Sequence, residues 1–325
     1  MKTAIRVIIL AATISMIFGL AAPATAAPSC DRECLRGFMT KYLDAVIAHN
    51  PKGLPLAKNV RFTENCVDTK LGEGIWKTAS RLTPYRVDIM DVKQGIIGTH
   101  SVIEEDKNTV LLLVRLKVVE KQITEIETQV TRITPGGPFS SPTELKAVRP
   151  AMTQVPPKDK FNSREDLVKI GLTYPEGLKL GSFVKADTPF GLDAYRIENG
   201  YITAGKGCMN RPSCENLKTQ PIPTLFEITS RVAAVDEEQG IVWIRMDFGK
   251  NSMGVGPEAD KQSLIVWEYF KIYDGQIQAI EAFMLAMPRQ TPSGWDVTEM
   301  YLRGPGFTPG QDGSGDPSTQ GMRIS

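Results

Sequence analysis

Histidine is nearly absent from this chain. Its 325 residues include only His49 and His100, and neither has a second histidine or a cysteine at ligand spacing. That argues against a zinc or non-haem iron centre. No P-loop, dinucleotide fingerprint or G-x-S-x-G elbow occurs either, because "GKGCMN" (205–210) and "GKNSMGVG" (249–256) lack the strand–helix context such motifs need. An excess of one charge is missing as well: 38 basic and 37 acidic residues are mixed along the chain, for a net +1. Nothing in that balance points to nucleic acid or a membrane surface. Cofactor-free acid–base chemistry, or plain binding, is what the absences leave.

One long apolar run is present, Val7 to Ala22, preceded by Lys2 and Arg6 and followed by "ATAA" (24–27). It is short for a bilayer span and ends in a cleavage-like site, so residues 1–27 read as a signal peptide cut near Ala26 or Ala27. The mature protein is then periplasmic or extracellular, where disulfides form. The five cysteines are Cys30, Cys34, Cys66, Cys208 and Cys214. Cys208 and Cys214 bracket a turn-rich loop and are the first expected pair; Cys66 with Cys30 or Cys34 is the second.

Read against itself, the chain repeats. "DRECLRGFMTKYLDAV" (31–46) and "SREDLVKIGLTYPEGL" (163–178) both open on a helix N-cap followed by Arg-Glu and, four residues on from the cap, a leucine. Pro175 predicts that the second helix stops near Tyr174. "RLKVVEKQITEIETQV" (115–130) and "YFKIYDGQIQAIEAFM" (269–284) both read as strand, tight turn, strand. Between these landmarks, "RFTEN" (61–65) and "RIENG" (196–200) each carry an arginine and a Glu-Asn pair. Capped helix, Arg/Glu-Asn segment and final hairpin recur in order, which is a duplication. Expected strands lie near 85–93, 96–105, 108–119 and 122–133, and again near 225–236, 240–248, 263–274 and 276–287. The fold class is α+β, two tandem domains of N-terminal helices followed by a curved antiparallel sheet. Domain 1 spans 28–136 and domain 2 spans 163–288. Residues 137–162 read as an unpacked linker and 289–325 as a largely disordered tail that Trp295 and Tyr301 tie down.

The closing hairpin "YDGQIQAIEAF" (273–283) resembles that of the nuclear transport factor 2-like (SnoaL-like) superfamily, the cone-shaped fold of ketosteroid isomerase and scytalone dehydratase. More closely, the chain resembles a secreted, uncharacterised family common in fungi and present in bacteria. Its marks are R-x-T-E-N followed by G-x-G-x-W, here "RFTENCVDTKLGEGIW" (61–76), and R-x-E-N-G-x-x-T, here "RIENGYIT" (196–203). The likeness covers most of residues 30–288, with Ala194 where that family often has cysteine. It implies a pocket in each copy between helices and sheet. The superfamily hosts isomerases, dehydratases, lyases and simple binders, so the resemblance gives fold more firmly than function.

In such a fold Glu64-Asn65 and Glu198-Asn199 fall near the pocket mouths. Glu64, Glu198 and the strand residue His100 are the acid–base candidates. Arg61, Asn65, Trp76, Tyr85, Tyr195, Arg196 and Asn199 are candidates for contacting substrate, the tyrosines by hydrogen-bonding a developing oxyanion. Each also has a structural reading, a capped turn or a locked carboxylate, and the repetition favours it for the Glu-Asn pairs. Glu127 and Glu281, out of phase with Ile126 and Ile280, also read as structural. The expected ligand is a small apolar or aromatic molecule, with no cofactor, metal, nucleic acid or membrane partner. The leading function is a secreted lyase, dehydratase or isomerase working by proton transfer, by analogy including formaldehyde release from lignin-derived aromatics. The rivals are a ligand carrier using the same pockets and a purely structural pair. Joining two copies in one chain predicts a monomer that forms an internal pseudo-dimer.

Overall fold

The computed structural model describes residues 30–106, 108–134, 144–208, 213–250, 252–253 and 260–295. The signal-peptide reading, Tyr301 and most of the tail lie outside those residues. Helix α1, Arg32–Ile47, is capped by Asp31, whose side chain accepts from the Cys34 amide. It buries Leu35, Met39, Tyr42, Leu43 and Val46, the spacing of one helical face. A short helix α2, Pro150–Thr153, precedes α3, Arg164–Leu180, which Ser163 caps and Gly181 ends in the left-handed region. Contrary to expectation, α3 does not stop at Tyr174 but runs through Pro175 for another turn. The ring deprives the Gly171 carbonyl of its i+4 donor. Burial of Tyr174, Pro175, Gly177 and Leu178 holds the extra turn in place, so tertiary packing overrides local preference.

Six strands follow α1: β1 (Leu56–Glu64), β2 (Val67–Asp68), β3 (Arg81–Asp91), β4 (Ile96–Glu105), β5 (Asn108–Val119) and β6 (Gln122–Arg132). Six more accompany α3: β7 (Phe190–Glu198), β8 (Tyr201–Ala204), β9 (Thr229–Asp236), β10 (Ile241–Asp247), β11 (Gln262–Tyr273) and β12 (Gln276–Pro288). The two sheets have the same order, β2-β1-β6-β5-β4-β3 and β8-β7-β12-β11-β10-β9. The duplication is therefore one of topology as well as sequence, in an α+β chain of two mixed sheets. The eight expected strands are β3–β6 and β9–β12, within a few residues. The Arg/Glu-Asn segments are themselves strands, and they make each sheet mixed where an antiparallel one was expected: β1 runs parallel to β6, and β7 parallel to β12.

This settles what the Glu-Asn repeat is locally. Each pair closes a hairpin, Glu64 facing Val67 and Glu198 facing Tyr201, across a two-residue loop with both φ angles positive. That is a type I′ turn, for which Asn-Gly is the favoured sequence. The second copy has it, Asn199-Gly200; the first has Asn65-Cys66, with Cys66 at φ 66. Both asparagines also extend the parallel ladder with their side chains. Asn65 Oδ1 accepts from the Val130 amide at 2.8 Å and Asn199 Oδ1 from the Met284 amide at 2.7 Å, while each Nδ2 donates back to the same residue's carbonyl.

Three apolar cores result. One lies between α1 and the first sheet, one between α3 and the second, and the third joins the sheets face to face. The third contains Val87, Ile89, Leu111 and Leu113 from one copy and Trp243, Trp267, Tyr269 and Phe283 from the other. Leu145 and Met152 also belong to it, so residues 144–153 are a packed strap, which corrects the reading of this stretch as an unpacked linker. Lys271 Nζ donates to the Gln154 carbonyl, which fastens the strap further. Trp295 packs under Arg61 and Arg115 and donates to Thr63 Oγ1 at 2.8 Å.

The copies also exchange ion pairs. Arg32 at the start of α1 reaches Asp236 in the second sheet at 2.7 Å, and Arg164 at the start of α3 reaches Asp91 in the first at 2.5 Å. Asp236 also accepts from the Met90 amide and Asp91 from the Val235 amide. Both aspartates are buried, so each carboxylate bridges the copies through a guanidinium and a backbone N–H.

Three outcomes follow for urea unfolding. Asp91→Asn or Asp236→Asn costs about 3 kcal/mol, because each removes a buried carboxylate charge that an arginine and a backbone amide of the other copy are bound to. The exposed Lys160–Asp274 pair tolerates Asp274→Asn with a change of about 0.5 kcal/mol or less. Cys66→Gly stabilises by about 1 kcal/mol, since the turn position favours glycine; an unchanged midpoint would show that Cys66 carries no backbone strain.

Candidate functional site

The register across the sheets identifies corresponding residues. Glu198 stands opposite Ala282, and Ala282 opposite Glu268 on β11. In the first copy the same row reads Glu64, Thr128, Val114. Arg196 likewise faces Ile280 where Phe62 faces Ile126. The second copy has thus placed Arg196 and Glu268 in its helix-covered interior, at positions the first fills with phenylalanine and valine.

Those two charges lie among α3, the sheet and the segment 213–228. Arg196 Nη1 donates to the Tyr174 hydroxyl at 2.9 Å, Nη2 to Gln220 Oε1 at 3.3 Å and Nε to Thr203 Oγ1 at 3.0 Å. Glu198 lies 3.5 Å from Arg196 Nε. Glu268 is wholly buried, and among the described residues both carboxylate oxygens lack a hydrogen-bond partner. Burial pushes its pKa well above the ordinary value, with the nearby Glu198 acting in the same direction and Arg196 against it. The interior therefore favours the neutral acid, which can give a proton or a hydrogen bond. Leu217, Leu225 and Gln220 of the covering segment are buried over this region, and its base is tied by the Cys208–Cys214 disulfide and the Gly205–Cys214 backbone bond.

The first copy's interior is built differently. Tyr42, which matches Tyr174 from its helix cap, sits edge-on to Trp76 at 5.3 Å. Glu64 Oε2 accepts from the Ile75 amide at 2.9 Å, capping a single 3-10 turn, Gly74–Lys77. Burial raises the Glu64 pKa, and that amide bond partly offsets the rise. Glu64 and Trp76 thus close this copy with a short cap, where the second has a longer segment.

The other expected site residues fall elsewhere. Arg61 faces away from the interior that Arg196 enters; it pairs with Asp68 at 2.9 Å and covers Trp295. The two arginines of the repeat are not equivalent, because one strand step turns a side chain to the opposite face. Asn65 and Asn199 spend their amides on the ladder. His100 lies in the core between the sheets, stacked on Tyr269 at 3.9 Å and Phe283 at 4.4 Å, and burial alone holds its pKa well below the ordinary value. It is a neutral core residue there. Tyr85 and Tyr195 converge on Glu281, donating at 3.0 and 3.1 Å. Glu281 is on the inter-sheet side, and burial raises its pKa to about 7 against the help of both phenols. Its counterpart Glu127 is instead held by Arg115 and Arg231, at 2.8 and 2.6 Å. Tyr85, expected to contact substrate, therefore lies with Trp243, Trp267, Tyr269 and Phe283 in the seam between the copies.

Sequence reading missed Glu268, although the signal was there. "VWEYF" (266–270) places one carboxylate among apolar neighbours, and the hairpin alignment extended one residue sets it against Val114. It also missed "DVKQGII" (91–97) against "DEEQGIV" (236–242), the repeat that carries the two clasping aspartates. Of the disulfides, Cys208–Cys214 is as expected. Cys30 pairs with Cys34 and not with Cys66, which is free, because one helical turn brings Cys30 and Cys34 together. Two disulfides suit an oxidising compartment, and among the described residues no helix is long and apolar enough to cross a membrane. No group of three or more His, Cys, Asp or Glu among them is placed to hold a metal ion.

A family model described as a domain of unknown function (DUF8021) matches residues 160–284, the second copy from just before α3 into β12. No curated protein matches the chain.

The raised acids set a pH dependence. Glu281 and Glu268 hold protons in the native state that the unfolded chain releases, so their contribution is fully present below about pH 4.5; that of Glu281 is lost as pH rises through about 7, and that of Glu268 as pH rises through its own raised pKa. Carboxylates held low by arginine, such as Glu105 beside Arg132, act oppositely, below about pH 4.5. Urea melts should show stability falling between pH 4.5 and 7.5, and Glu281→Gln should flatten the fall by about 3 kcal/mol at most. An unchanged slope in that variant would contradict a raised Glu281.

Proposed function

We propose that this protein is a secreted, cofactor-independent acid–base enzyme, built as two cone-shaped domains of the nuclear transport factor 2-like kind paired through their sheets. It works inside the second copy on a small apolar or aromatic metabolite, as a lyase, dehydratase or isomerase. The observation that carries this is Glu268, a buried carboxyl with no hydrogen-bond partner among the described residues, set near Arg196 where the first copy has Val114 and Phe62. A buried acid of this kind costs stability, so structure alone gives no reason to keep it. In the reaction Glu268 gives a proton to the substrate, and Glu198, across Ala282, is placed to take one. The Arg196 guanidinium and Tyr174 hydroxyl stabilise negative charge developing on a substrate oxygen. The apolar remainder of the interior, including Leu167, Phe183 and Phe270, suits an aromatic ring. The first copy supplies the second half of the sheet-to-sheet seam.

The test is a turnover screen with phenolic and polyketide-like aromatics, followed by variants on any substrate found. Glu268→Gln and Glu268→Val should each lower kcat by a factor of about 100 or more, with Arg196→Met also impaired and Glu64→Gln near wild type. Full activity in both Glu268 variants would sink the assignment. Saturable ligand binding with no conversion across the panel would replace the enzyme with a carrier using the same interior.

A further inference from the structure

Cys66 is the one cysteine among the described residues outside a disulfide, and it is partly exposed. Its place in the fold needs explaining. It occupies the second position of a type I′ turn, at φ 66, where the other copy has Gly200 at φ 84. A non-glycine residue there is held against its backbone preference.

A second feature lies against the sulfur. Arg245 on β10 is 5% exposed, and its Nη2 lies 3.5 Å from Cys66 Sγ. Among the described residues it has no carboxylate partner: Glu127 nearby is taken by Arg115 and Arg231, and Arg245 Nε is buried without a hydrogen-bond partner among them. A buried guanidinium is normally paired, so Arg245 is a cation held in reserve beside a thiol. Cys66, Arg245 and Gln129 line a cavity of about 10 Å³, room for a molecule close to water in size. Because Cys66 is partly exposed, a small neutral oxidant reaches the sulfur from solvent.

We propose that Cys66 is a peroxide-reactive thiol whose product is held by Arg245. The Cys66 thiolate sulfur attacks one oxygen of hydrogen peroxide, an S–O bond forms and the O–O bond breaks. Sulfur gives up two electrons, and the second oxygen leaves as hydroxide and becomes water on taking a proton. Arg245 N–H groups face the oxygen that gains charge and then the sulfenate left on sulfur. The other four cysteines are committed to disulfides, so the sulfenic acid persists until a thiol from outside the chain reduces it. This site lies beside the seam and is independent of the reading given for the second copy's interior.

The experiment treats the folded full chain with hydrogen peroxide in the presence of dimedone and maps the adduct by peptide mass. One adduct, at Cys66, is expected, forming at least tenfold faster than on N-acetylcysteine at the same pH. Arg245→Met should slow it about tenfold and Arg245→Lys less, with thermal melts confirming that each variant is folded. A native protein that is not labelled, or a wild-type rate no faster than N-acetylcysteine, overturns the proposal. So does a folded Arg245→Met variant reacting at the wild-type rate. If Arg245→Met does not fold, the comparison with N-acetylcysteine decides alone.

Discussion

Two buried aspartates, Asp91 and Asp236, hold the architecture in register. Each sits at the end of a sheet-edge strand and receives an arginine from the first turn of the other copy's helix, together with a backbone amide from the facing strand. Because the exchange is reciprocal, neither helix can shift without uncovering a charge in the other copy. The apolar seam is broad but non-directional, so the clasp supplies the alignment that burial alone does not.

With the seam fixed, the alternation of strand side chains divides the chemistry in two. Residues in one phase, such as Ile126, Ile280 and Glu268, enter the interiors under the helices. Those in the other phase, such as Glu127, Glu281 and His100, enter the seam. The seam is rich in aromatics and partners its two buried glutamates: Tyr85 and Tyr195 for Glu281, Arg115 and Arg231 for Glu127. In the second interior Glu268 is buried with neither oxygen hydrogen-bonded among the described residues, and that imbalance distinguishes the two copies.

Divergence is concentrated where one copy gave up a shared solution. Gly200 became Cys66 at the turn, or the reverse, and Phe62 and Val114 correspond to Arg196 and Glu268. The short cap at Gly74–Lys77 corresponds to the disulfide-tied segment 205–228. Each exchange leaves the backbone topology untouched, because turns and loop segments absorb changes that the ladders cannot.

The sequence alone determined the duplication, the eight antiparallel strands, the capped helices and the Cys208–Cys214 pair. These follow from local periodicity, caps and turns, which act over a few residues. It did not reveal that the Glu-Asn pairs end parallel strands, since β1 and β7 find their partners about 60 and 80 residues away along the chain. Nor could it decide which phase of each strand faces the seam, and so Tyr85, Tyr195 and His100 read as pocket residues. Only the packing of one sheet on the other chose that phase, because a period of two is satisfied equally well with either face inward. The same choice took Arg61 away from the interior and left Arg196 and Glu268 within it.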